Sequence, residues 1–91
     1  MNSMNLEKPT AKNKNQICTA KFTIEAGALL RGQIRRLLKE RQFQNSHVEV
    51  TWEEDKGFLD SAFFIKFSGK YYWVYYEVES WKAAIEPLIG E

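Results

Sequence analysis

The chain has 91 residues, 44% of them hydrophobic, with one cysteine, one histidine and a formal net charge of +1. That length gives a single domain. A lone Cys18 excludes an internal disulfide, and no apolar run approaches the length of a membrane span.

The charge is unevenly divided. Residues 1–45 carry nine basic side chains against three acidic ones, and residues 46–91 carry four against nine. Such an asymmetry is consistent with a basic contact surface on the first half, or with two halves that neutralise each other when packed.

Residues 1–16 are rich in Asn and Lys and have only Leu6 and two Met for bulk. They read as a flexible polar tail with no signal-peptide pattern, ahead of a domain over 17–91. With one unpaired cysteine, a reducing, cytoplasmic location is expected. From Ile17 the pattern changes. Cys18, Ala20, Phe22 and Ile24 alternate with Thr19, Lys21, Thr23 and Glu25, which predicts a half-buried strand. Gly27 punctuates, and Leu30, Ile34, Leu37 and Leu38 then form one stripe of a helix reaching about Gln42. Val48, Val50 and Trp52 alternate with polar neighbours in a second strand. Glu54 to Gly57 reads as a hairpin loop, and a third strand follows over about 58–67. Ser68-Gly69 reads as a second tight turn into an aromatic strand, Tyr71 to Val78. Ser80 is a plausible N-cap for a last short helix carrying Trp81, Ala84, Ile85 and Leu88, which Pro87 should end or bend.

The expected fold is therefore an α+β two-layer sandwich of order β-α-β-β-β-α. Its four-stranded mixed sheet has both helices on one face. The first and second strands would be parallel if they were neighbours. The expected hairpin registers put Trp52, Phe63, Ile65, Phe67, Tyr72, Val74 and Tyr76 on the inner face. They put a row His47–Phe64–Trp73 on the outer face, bordered by Tyr71 and Tyr75.

Little chemistry stands out. Gly27 and Gly32 have the glycine spacing of a phosphate-binding loop, but Gln33 and Ile34 stand where such a loop needs Lys and Ser/Thr. Cys18 and His47 fall on opposite faces of the expected sheet, so they make no nucleophile–base pair. One Cys and one His cannot supply an ordinary zinc site. The adjacent Glu53, Glu54 and Asp55 cannot converge on one cation. No enzyme activity, cofactor, metal or small-molecule substrate is expected. Two surfaces remain. The outer row of His47, Phe64, Tyr71, Trp73 and Tyr75 has the composition of a protein-interface core, either for a partner or for a second copy. The helix face with Arg31, Arg35, Arg36 and Lys39 stacks like charges at i, i+4, a cost that a phosphate backbone would remove. A protein-binding module using the aromatic face is the primary expectation. An RNA- or ribosome-binding protein using the basic helix and tail is the alternative.

The expected element order with a basic first helix resembles that of ribosome hibernation-promoting factors, and its last five elements resemble the double-stranded RNA-binding domain. No motif of either family is present, so the order alone implies nothing about function.

Overall fold

The computed structural model describes residues 4–89. Strand β1 (Ile17–Gly27) leads to helix α1 (Arg31–Arg41). Strands β2 (Val48–Lys56) and β3 (Asp60–Lys70) form a hairpin, and helix α2 (Tyr71–Ile89) follows without a loop. The sheet has three strands in the order β1-β3-β2. Both pairings are antiparallel.

This corrects the expected four-stranded sheet, and with it the resemblance in element order. The aromatic segment is a helix. A strand over 71–78 followed by a helix from Ser80 needs a change of direction between them. Residues 71–86 contain no Gly, Pro, Asn or Asp to make one. Val74, Val78, Trp81 and Ile85 recur at helical spacing and are all buried. Burial of that stripe outweighs the preference of Tyr and Trp for strands, which is worth tenths of a kcal/mol per residue. Tyr72 and Tyr76, expected in the core, stand 43% and 46% exposed. Ser80 lies inside α2 rather than at its start, and Pro87 sits in its last turn.

The registers are corrected too. The β2–β3 turn has Phe58 and Leu59 at its apex, with the Gly57 N–H donating to the Asp60 carbonyl at 2.7 Å. Trp52 therefore faces Ile65 across the pair, and Glu53 faces Phe64. There is no tight turn at Ser68-Gly69, because β3 continues to Lys70. Strands β1 and β2 are not neighbours. The last strand in sequence inserts between them, so the central position goes to β3, whose Phe63, Ile65 and Phe67 are the most apolar alternating set.

The alternation within β1, β2 and β3 holds. Ala20, Ile24, Val48, Val50, Phe63, Ile65 and Phe67 are buried, with Phe22 and Trp52 half-buried beside them. Ile34 and Leu38 of α1 and the apolar stripe of α2 complete that core. The opposite sheet face, with Thr19, Lys21, Thr23, Glu49, Thr51, Glu53, Phe64 and Lys66, is exposed. Residues 4–16 form no strand or helix. Met4 is nonetheless buried in the core, and the Tyr71 hydroxyl donates to the Glu7 carbonyl. Carbonyls of the same segment cap α2. The Tyr71 N–H donates to Gln16 at 2.8 Å and the Tyr72 N–H to Lys14 at 3.0 Å.

Candidate aromatic site

The first two turns of α2 and the loop before β2 carry a chain of five rings in contact. His47 lies flat on Trp73, with centroids 4.0 Å apart and planes 7° from parallel. Trp73 meets Tyr72 edge-on at 5.2 Å, Tyr72 meets Tyr76 at 5.0 Å, and Tyr76 meets Tyr75 at 5.1 Å. The spacing of Tyr72 and Tyr76, i and i+4, places them on one face of the helix.

The loop is held along α2 by three side chains in succession. The Arg41 guanidinium donates to the Ser80 hydroxyl. The Asn45 amide donates to Glu77 at 3.1 Å while its oxygen accepts the His47 N–H at 2.9 Å. His47 then reaches Trp73. Glu77 is buried, and its second oxygen accepts the Trp81 indole N–H at 2.9 Å. Both Glu77 oxygens are thus satisfied inside the protein, which ties the loop to α2, while the buried Arg41 Nε makes no hydrogen bond.

Of the five aromatic positions expected on one sheet face, His47, Trp73 and Tyr75 do come together, but on α2 and the loop packed against it. Tyr72 and Tyr76, both expected on the inner face, connect them. Helical spacing was the signal that could have found them. Phe64 is apart, on the exposed sheet face, opposite Thr23 and Glu53. It lies in an open trough of about 490 Å³ whose polar rim includes Lys21, Lys66 and Glu53. Tyr71 has a different task, securing the N-terminal segment. Burial, with the nearby Glu7 carboxylate, pushes its phenol above the ordinary value.

The basic helix is largely occupied. Arg35 makes two hydrogen bonds to the Glu54 carboxylate, at 2.6 and 2.7 Å. Arg31 donates to the carbonyls of Gly57 at 2.9 Å and Asp60 at 3.3 Å, clamping the base of the β2–β3 turn. Arg36 and Lys39 are exposed. Cys18 is half-buried, and burial pushes its thiol up, away from a thiolate.

The Arg35–Glu54 pair makes stability depend on pH. The Arg35 hydrogen bonds, with smaller help from Ser61 and from the charges of Arg35 and Lys56, lower the Glu54 carboxyl from 4.5 to about 2 against the effect of burial. A carboxylate held below its ordinary value contributes stability that is complete above that value and fades as protons are added. Urea stability is therefore expected to decline from about pH 4.5 down to about pH 2. In Glu54→Gln that part of the decline should flatten. An unchanged acid limb in the variant would show that other carboxylates govern it.

Among the described residues, no cluster of His, Cys, Asp and Glu could hold a metal ion, and no helix is long and apolar enough to cross a membrane. The chain matches no protein-family model, no curated protein and no solved structure.

Proposed function

We propose that this protein is a non-enzymatic interaction module that binds a protein partner through the ring chain His47–Trp73–Tyr72–Tyr76–Tyr75. The observation that carries this reading is the exposure of linked Tyr rings on a braced helix, with Tyr72 and Tyr76 each more than two-fifths exposed. Tyr and Trp offer large contact area with few torsions to freeze, and rings that already brace one another lose little freedom on binding. The arrangement favours a protein over unpaired bases. The flat face of Trp73 is already stacked by His47, and the other rings meet edge-on, forming a ridge rather than a parallel platform. Phosphate binding on α1 would rest on Arg36 and Lys39, since Arg31 and Arg35 are engaged internally.

The reading is tested by placing a photoreactive residue at Tyr76, isolating what it crosslinks in cells, and titrating the purified pair. The double variant Tyr72→Ala/Tyr76→Ala is expected to weaken that binding by more than about 2 kcal/mol, the range of aromatic anchors. It should cost the isolated protein less than about 1 kcal/mol, because neither ring is core. Undiminished binding by the double variant would overturn the proposal. So would a crosslinked RNA whose affinity falls steeply with salt and with Arg36→Gln/Lys39→Gln.

A further inference from the structure

Strand β1 is an edge strand, paired only with β3 among the described residues. Its eleven residues pair in unbroken register, with no bulge and no proline. The direction of its peptide groups follows from one bond. The Tyr71 N–H donates to the Gln16 carbonyl in continuation of the Ile17–Lys70 register. Hydrogen-bonded pairs alternate along an antiparallel ladder, so Gln16 and the even-numbered residues of β1 turn their peptide groups toward β3. Thr19, Lys21, Thr23 and Glu25 turn theirs to the open edge. Long, regular edges of this kind template the addition of another strand.

We propose that the occupant of this edge is the β1 strand of a second copy of the chain, antiparallel and centred on Thr23. Two-fold symmetry and peptide direction together leave few registers, because odd-numbered residues must face odd-numbered residues. Centring on Lys21 sets that lysine against its own copy. Centring on Phe22 sets Lys21 against Thr23, and centring on Ile24 sets it against Gly27. Only centring on Thr23 sets Lys21 against Glu25, and the symmetry makes that pairing twice. The same register sets Phe22 against Ile24 on the inner face, also twice, and Ala20 against Ala26. Phe22 is half-buried in the single chain, so the partner strand covers apolar surface that β1 alone leaves open. The product is one six-stranded antiparallel sheet with β2 at each end. This contact is separate from the aromatic cluster on α2, which remains available to another protein.

The test is sedimentation velocity of the full chain over a concentration series. Wild type is expected to dimerise reversibly. Lys21→Glu sets two carboxylates opposite each other at both sites, and Glu25→Lys sets two ammonium groups there. Like charges directly opposite are unfavourable, and each variant should weaken association by about tenfold or more. The swap Lys21→Glu/Glu25→Lys restores opposite charges and should return the dissociation constant to within about threefold of wild type. Circular dichroism of each variant checks that the monomer fold is intact. The proposal is overturned by a wild-type chain that stays monomeric at about 1 mM. Association that is indifferent to the single variants, or lost in the swap as in the singles, overturns it too. A dimer abolished by Tyr72→Ala/Tyr76→Ala but not by the charge variants would place the contact on α2 instead.

Discussion

Replacing Trp81 by alanine is expected to cost about 3–5 kcal/mol, enough to unfold a domain of ordinary stability. Trp81 is fully buried and meets Phe67 edge-on at 5.2 Å, at the seam between α2 and the central strand. Its removal opens a cavity between layers that cannot collapse without shifting α2. It also leaves Glu77 without one of its two side-chain donors, the other being Asn45. Trp81→Phe separates these effects. It keeps most of the volume but not the indole N–H, and should cost about 1–3 kcal/mol, with Glu77 left short of a donor. Urea melts followed by far-UV circular dichroism measure both. A loss below about 1 kcal/mol for the alanine variant would mean that α2 does not hold the sheet through this residue.

The second large effect is expected at Gly69, where β3 gives way to α2. Its φ of +155° is one that side-chain-bearing residues rarely adopt. A Cβ there would lie 2.7 Å from the His47 carbonyl oxygen and 3.6 Å from the Val48 Cα. The obstacle is backbone, so it cannot rotate away. Gly69→Ala should cost about 2–4 kcal/mol through strain and displacement together. Because His47 must move, the variant should also change the near-ultraviolet circular dichroism of its stack on Trp73. Gly27→Ala, where an added Cβ meets nothing within 4 Å, is the control. Equal stability of the two variants would show that the approach at Gly69 is loose.

The three strands and the first helix are legible in the sequence because each shows a single period. Phe63, Ile65 and Phe67 alternate, and Ile34 and Leu38 follow a helical stripe. The segment from Tyr71 to Val78 is apolar on every side, so its composition fits a strand or a helix equally well. Only its continuation settles the matter. Val74 and Val78 are in phase with Trp81 and Ile85, and nothing between them can turn the chain. As a strand, that element would turn Tyr72 and Tyr76 inward and set Phe64 beside Trp73; as a helix it gathers the Tyr rings with Trp73 and leaves Phe64 apart. The basic face of α1 was legible as charge but not as pairing. Arg35 and Glu54 are far apart in sequence, and nothing local announces that they meet. The role of Met4 was hidden for a similar reason. A single apolar side chain in a polar segment gives no period, yet it finds a place in the core.

The central position of β3 has a consequence for the order in which the fold assembles. β3 meets β2 across the two-residue apex Phe58-Leu59, a closure that costs little chain entropy. It meets β1 only after the chain has returned across α1 and β2. The hairpin is therefore expected to form first and β1 to dock late, which folding-rate measurements on hairpin and β1 variants would check. Until it docks, β1 is an eleven-residue strand with two open sides and an apolar face. That interval is when the chain is most exposed to mispairing, and its length depends on how fast a distant strand finds the hairpin.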